Sequence, residues 1–437
     1  MDKKIFAILI ALSFFAFIIP NLSPAIKISG DGIGYYSWLH SVFFDQDINF
    51  RNQAENCAAW DNNCRTIIER NLVTHSGKTN NPYAFGTAIM WLPAFLIAHF
   101  LSLILSQINP DFFQPDGYSY LYFLAIFFAT WLFSILALLL NYKILKKVFN
   151  DKSSFGFSSL ALIAGWLATP WIYYQTLSLS MAHIPSLLVV SYFLYLLIKM
   201  WKKEKVSGWV LAIIIFLMIS IRWQNLIFTL IYLPLLIEQK REKTPTNNIL
   251  KTSLLFIVPV AIFWLLQCLI WKYIYGSLFL FTFNWYFAEI KPFGFLHILF
   301  SSDRGLFLWS PILILAILGW YWLYKKIPFL GMAVALAFVG QWLVNGSLAD
   351  LGGGWAFGSR RFIETLPFLI LSLAALFQKF QKKIKIFYVI VIIAIIWNFI
   401  LIGNYQIGVI PPGGEFNFFG TDYFSQIGPG ITKRLGW

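Results

Sequence analysis

An all-α, polytopic membrane protein is the fold class this sequence predicts, and three observations predict it. Of 437 residues, 59% are hydrophobic and only 12% charged, whereas soluble domains are about 45–50% apolar and about 25% charged. The apolar residues collect in Leu-, Ile- and Phe-rich runs near the length of about 20 residues that a helix needs to cross a bilayer, not in the short alternating segments of a barrel. Aromatic residues reach 19%, in keeping with belts of Trp and Tyr at both membrane surfaces.

In chain order the apolar runs fall at 5–22, 83–106, 119–142, 155–173, 181–199, 207–221, 223–238, 250–274, 305–324, 328–345, 362–378 and 384–403. The first follows Met1-Asp2-Lys3-Lys4 and precedes the leader-like Ser23-Pro24-Ala25; it reads as an uncleaved first helix with its lysines inside. The net charge of +14 is carried in short clusters between later runs: Lys143, Lys146 and Lys147; Lys199, Lys202, Lys203 and Lys205; Lys240, Arg241 and Lys243; Lys325 and Lys326; Lys379, Lys382, Lys383 and Lys385. That is the positive-inside pattern, which orients a membrane protein, and not a nucleic-acid footprint. If every run crossed, these clusters would all face away from the first lysines. The conflict disappears when 83–106, which follows Pro82 and contains Gly86, Pro93, His99 and Ser102, is a re-entrant or interfacial helix on the outer side.

Of the twelve runs, eleven transmembrane helices then remain, and the inside loops hold 20 of the 33 Lys and Arg but only 5 of the 19 Asp and Glu. An N-terminal module (1–240) carries a large outer loop (23–118) with interfacial or re-entrant helices. A C-terminal module (241–437) carries outer loops at 275–304 and 346–361 and an outer tail from Gly403. The inside loops are short and basic, so function is expected on the outer side.

Asp31 leads the outward groups, in Ser29-Gly30-Asp31-Gly32-Ile33-Gly34-Tyr35-Tyr36 just after the first run. Glycines let a backbone turn sharply and approach a ligand, and Tyr35 and Tyr36 suit a boundary apolar on one side and wet on the other. Asp31 reads either as a helix cap or as a catalytic carboxylate at the lipid–water boundary. Asp45 and Asp47 read as solvated, with metal binding as the alternative. Lys78, before Asn80-Asn81-Pro82-Tyr83, snorkels or holds a phosphate. His183, in Ser180-Met181-Ala182-His183, is a satisfied structural group, a metal ligand or an anion donor. Arg222 sits in an outer turn against the charge bias, so it needs an anionic partner: a phosphate, which its planar fork suits, or a lipid headgroup. Gly352-Gly353-Gly354-Trp355 and Gly358-Ser359-Arg360-Arg361 read either as a helix-terminus anchor or as a stacking ring for a sugar or cation beside paired guanidinium groups for phosphate. Asp303 reads as a helix cap or as the partner of Arg304. Cys57 and Cys64 share the first outer loop as a disulfide, given an oxidising compartment, or as two thiols. No GxxxxGK[ST], GxGxxG or HExxH occurs, so the chain lacks these nucleotide and zinc-protease signatures and energy for a reaction would arrive with the substrate.

Gly30-Asp31-Gly32, Asn81-Pro82-Tyr83-Ala84-Phe85-Gly86, Arg304-Gly305-Leu306-Phe307 with Ser310-Pro311, and Gly353-Gly354-Trp355 with Gly358-Ser359-Arg360, in that order and on that side, resemble the GT-C superfamily of integral-membrane glycosyltransferases. The likeness is to members allied to protein mannosyltransferases and aminoarabinose transferases, and it covers nearly the whole chain. It implies inverting transfer of a sugar from a polyprenyl-phosphate donor to a hydroxyl of a glycan, lipid or protein, at the periplasmic or extracellular face of the cell membrane. It also implies that Asp31 is the catalytic acid of the first outer loop, and that Arg222, or Arg360 and Arg361, with Lys78 in support, grip the donor phosphate. Tyr35, Tyr36, His183 and Trp355 would contact sugar or acceptor. Where some relatives have a second acid near the start of the fourth span, this chain has His183; a divalent ion (Mg or Mn) on Asp31 and His183 is the cofactor left open. Two other classes compete: a flippase for lipid-linked sugar, and a polysaccharide polymerase or ligase using lipid-pyrophosphate donors.

Overall fold

A computed structural model describes residues 3–151, 156–241, 246–279, 294–348 and 350–418. The middle of the expected outer loop at 275–304, and the expected outer tail beyond residue 418, lie outside the described residues. Among the described residues 73% are helical and none lies in a strand. Helix α1 (Lys3–Asn21) leads into a polar excursion with α2 (Asp31–His40), α3 (Arg51–Cys57) and α4 (Asn62–Glu69), followed by α5 (Gly86–Leu105). Then come α6 (Tyr120–Phe149), α7 (Phe157–Leu167), α8 (Trp171–Thr176), α9 (His183–Trp201) and α10 (Gly208–Ile221). Next are α11 (Leu226–Thr229), α12 (Tyr232–Arg241) and α13 (Thr246–Tyr275). The chain continues with α14 (Gly294–Phe300), α15 (Leu306–Trp309), α16 (Ile312–Lys326), α17 (Pro328–Gly346), α18 (Leu366–Lys379) and α19 (Ile384–Gln406). Among the described residues 8 helices are long and apolar enough to cross a membrane, α5 among them although the charge pattern predicts a re-entrant or interfacial helix there, which makes this a polytopic helical membrane protein.

Three of the predicted runs are interrupted. The run at 155–173 divides at Pro170 between α7 and α8, and the run at 305–324 divides at Ser310-Pro311 between α15 and α16. The run at 223–238 becomes a 3₁₀ turn (Trp223–Asn225), α11 and α12. Proline has no N–H for the helical ladder and clashes with the preceding turn, so the first two breaks fall where the sequence puts it.

The segment Arg360–Lys379 is the centre of the helix bundle: 89% of its apolar window is buried inside the protein, against 17% for the window of α1 and 22% for that of α13. Helix α18 packs on α16, α7 and α9, so the two halves of the chain share one core. Leu and Ile side chains that α1, α13 and α19 leave outward are what a helix presents to lipid.

The two ends of the bundle differ in charge. At one end the C-terminal turns of α6, α9, α12, α16 and α18 meet. Lys147 pairs with Glu204, Lys202 bonds to the Lys147 carbonyl, and Lys326 bonds to Gln378. Trp201 there donates to Glu238 Oε1 at 3.0 Å. At the other end of the same helices lie His183, Arg222 and the stretch Arg360–Thr365. Helix α5 touches that second end twice: Gly86 packs against the backbone of Ser220 and Ile221, and His99 Nδ1 lies 2.7 Å from the Tyr122 hydroxyl in the first turn of α6.

Candidate active site at the arginine end

Asp31 opens α2, and a clamp of local contacts sets its position. Gly30 takes φ 57°, a left-handed conformation that favours glycine. A Cβ on Gly32 would run into Ser180, and one on Gly34 into the Tyr83 ring, so the glycines let the segments at 81–83 and 180–181 press on the helix. Asn81 Nδ2 donates to the Gly34 carbonyl at 2.9 Å, and the Tyr83 hydroxyl donates to Asp31 Oδ1 at 3.2 Å. Asp31 thus begins a helix without capping one; its carboxylate points to side chains elsewhere in the chain.

The partner is Arg360. Its Nη1 lies 3.0 Å from Asp31 Oδ2, and its Nη2 donates to the Gly353 carbonyl at 2.8 Å. The Arg360 side chain is 10% exposed and that of Asp31 28%, so one side of the pair is open. Positive φ at Gly353 (77°) and Gly354 (67°) turns the Gly353 carbonyl toward Arg360. Arg361, on the same stretch, meets Asp350: its Nη1 bonds to the Asp350 carbonyl and its Nη2 lies 3.2 Å from Asp350 Oδ2.

Behind this pair is a second set of charges. Glu364 Oε1 lies 2.9 Å from Arg222 Nε and 3.1 Å from His183 Nδ1. Arg222 Nη1 is 3.1 and 3.2 Å from the two ring nitrogens of His183, so the guanidinium lies against the ring and not along one lone pair. Arg222 Nη2 donates to Gln224 Oε1 at 2.9 Å, and Gln224 Nε2 donates to Gln341 Oε1 at 3.1 Å. Asn345, one turn on in α17, reaches both Gln341 and the Arg361 carbonyl at 3.5 Å. A shallow, open depression at the front is lined by Arg304, Asn345, Gly353, Ser359, Arg360 and Arg361, among others. The Oδ1 of Asn345 has no partner.

Other predicted residues are placed elsewhere. Tyr35 sits beside the clamp, its ring 5.2 Å from that of Tyr83. Tyr36 turns away: its hydroxyl donates to the Gly117 carbonyl, and burial, then Tyr118 and Tyr122, push it well above the ordinary tyrosine range. It is a neutral strut of the first loop. Lys78 lies over the Tyr273 ring, 4.2 Å from its centroid. Trp355 is 80% exposed, next to Gly413. Cys57 and Cys64 form a disulfide. Asp45 and Asp47 are held by Gln53 and Ser41. Asp303 pairs with Arg304, whose other nitrogens bind the carbonyls of Ala356 (2.9 Å), Pro411 (2.7 Å) and Gly414 (3.1 Å). Arg304 therefore straps the glycine-rich loop to the segment after α19. Among the described residues no group of three His, Cys, Asp or Glu side chains converges as a metal site; Asp31 and His183 each face a guanidinium, which repels a cation.

Glu364 is the functional candidate that the sequence reading passes over. A signal was present: it is an acid in an otherwise apolar stretch three residues after Arg361, and ionisable groups at membrane depth are functional by default. No protein-family model, curated protein or solved structure matches this chain.

Proposed function

We propose that this chain is an inverting glycosyltransferase of the GT-C kind, moving a sugar from a polyprenyl-phosphate donor to an acceptor hydroxyl at the outer face of the cell membrane. The observation that carries this reading is the Asp31–Arg360 pair, 3.0 Å apart and open on its Asp31 side, at the end of the bundle opposite the lysines. An inverting displacement at a sugar phosphate requires a base on the acceptor side of the anomeric carbon and cations on the phosphate side, and Asp31 with Arg360 and Arg361 supplies both kinds of group. The acceptor O–H gives its proton to the Asp31 carboxylate as the acceptor oxygen bonds to the anomeric carbon. The bond from that carbon to the phosphate oxygen breaks, and its electron pair leaves with the phosphate. Arg360 and Arg361 stabilise the negative charge that develops there.

The topology supports the same sidedness. With the lysine end taken as inside by the positive-inside rule, Asp31, Arg222, Arg360 and Arg361, at the opposite end, would face outward. The exposed Trp355 ring is then the stacking surface for a sugar.

The test is sugar release from undecaprenyl phosphate carrying radiolabelled hexoses or pentoses, by purified protein in nanodiscs. Asp31→Asn, at equal folded amount, is expected to lose about 10²–10⁴-fold in turnover, the contribution of a general base. Unchanged turnover refutes the base assignment. Passage of intact donor across a vesicle membrane without loss of its sugar refutes transfer in favour of a flippase.

A further inference from the structure

We infer that Glu364 is a positioning residue for this site and that Arg222 is its tether, leaving the donor phosphate to Arg360 and Arg361. The inference rests on the glycosyltransferase reading and concerns how the site is held. Glu364 is 0% exposed, Arg222 13% and His183 2% by side chain. Taking a carboxylate and a guanidinium out of water carries a desolvation penalty that their mutual attraction often does no more than offset. A stabilising role alone is thus a weak reason for such a group.

Geometry supplies a better one. Arg222 is ringed by protein groups: Glu364 Oε1 lies 2.9 Å from its Nε as an ion pair, the His183 ring lies against Nη1, and Nη2 donates to Gln224 Oε1. A guanidinium engaged in this way has little left for a ligand. Arg360 and Arg361 instead face the depression. One is matched by Asp31 and the other by Asp350, whose side chain is 51% exposed and free to be displaced by an incoming anion. Glu364 lies on the same 3₁₀ stretch (Arg360–Thr365) as both. Its bonds to α9 through His183, and to the end of α10 through Arg222, pin that stretch. Its remaining link runs through Gln224, Gln341 and Asn345 to the Arg361 carbonyl. Remove the carboxylate charge and the stretch loses the anchor that keeps Arg360 against Asp31.

Glu364→Gln keeps the shape and removes the charge; Glu364→Asp keeps the charge. With the undecaprenyl-phosphate sugar donors, Glu364→Gln is expected to lower kcat about 10²-fold, the scale of a misplacement near 1 Å, with a smaller rise in donor KM, since Arg360 and Arg361 keep their charges but lose their anchored placement. Glu364→Asp recovers most of that kcat. Arg222→Lys reproduces the loss, and the double variant is no worse than either single one, since the two act as a unit. Arg361→Gln does the reverse and raises donor KM. A Glu364→Gln kcat within about twofold of the unsubstituted protein, additive losses in the double variant, or an Arg222→Lys effect confined to donor KM overturns the inference. Should Glu364→Gln not fold, Arg222→Lys decides alone by the same kcat-against-KM split. Absence of sugar release by the unsubstituted protein sinks the glycosyltransferase reading and this inference with it; release that survives Glu364→Gln intact sinks only the inference.

Discussion

At the lysine end, Lys147 and Glu204 pair with side chains 22% and 37% exposed, while at the arginine end Arg222 and Glu364 pair at 13% and 0%. Both are ion pairs between segments distant in the chain, but they differ in what they ask of the fold. The first sits in water, where attraction is screened and the geometry is loose. The second is removed from water, so each charge needs a named partner at a set distance. Lysines serve the first purpose because a flexible ammonium only has to reach the surface. Arginines serve the second because the planar fork holds several acceptors at once. The lysine end orients the chain, and the arginine end holds the groups of the proposed reaction.

That contrast breaks most visibly at Arg360. Arg360→Gln is expected to cost about 10²–10³-fold in kcat for sugar transfer, as when one preorganised group facing a developing anion is removed, with folded yield measured in parallel. A loss of less than threefold, about 0.6 kcal/mol, would place the transition-state charge elsewhere. Arg222→Ala probes the buried pair: it strands the Glu364 carboxylate, and breaking such a pair destabilises by about 3–5 kcal/mol. Thermal unfolding in detergent reads this as a clear drop in Tm.

Lys147→Ala, the matching cut at the lysine end, should leave Tm and transfer unchanged. The hydrogen bond from Lys147 lowers the titration of Glu204 below the ordinary range. Any stability from that pair is therefore present above the unfolded carboxylate's range and fades as pH falls through the folded one. A Tm loss on Lys147→Ala as large as that on Arg222→Ala would erase the distinction between the two ends.

Much of this was legible in the chain. Helical class, the placement of Lys143, Lys199, Lys325 and Lys379 at one end, and Asp31, Arg360 and Arg361 at the other follow from run lengths and charge signs. The breaks at Pro170 and Pro311 were written in the sequence too, yet the run lengths alone suggested continuous spans. Glu364 stayed hidden because its partners, His183 and Arg222, come from distant segments. Tyr36 was misleading for the opposite reason: it neighbours Asp31 in sequence, but α2 turns it toward Gly117.

The sequence by itself determined the solvent this protein folds in and the segregation of its charges along each helix, because a bilayer acts on every segment separately and reads only apolar length and the placement of lysines. Only the tertiary structure decided which guanidinium meets which carboxylate. Asp31–Arg360 and Arg222–Glu364 are pairings between segments distant in the chain, set by how glycine-lined segments and the central Arg360–Lys379 segment fit together, and no local pattern in the chain encodes that choice.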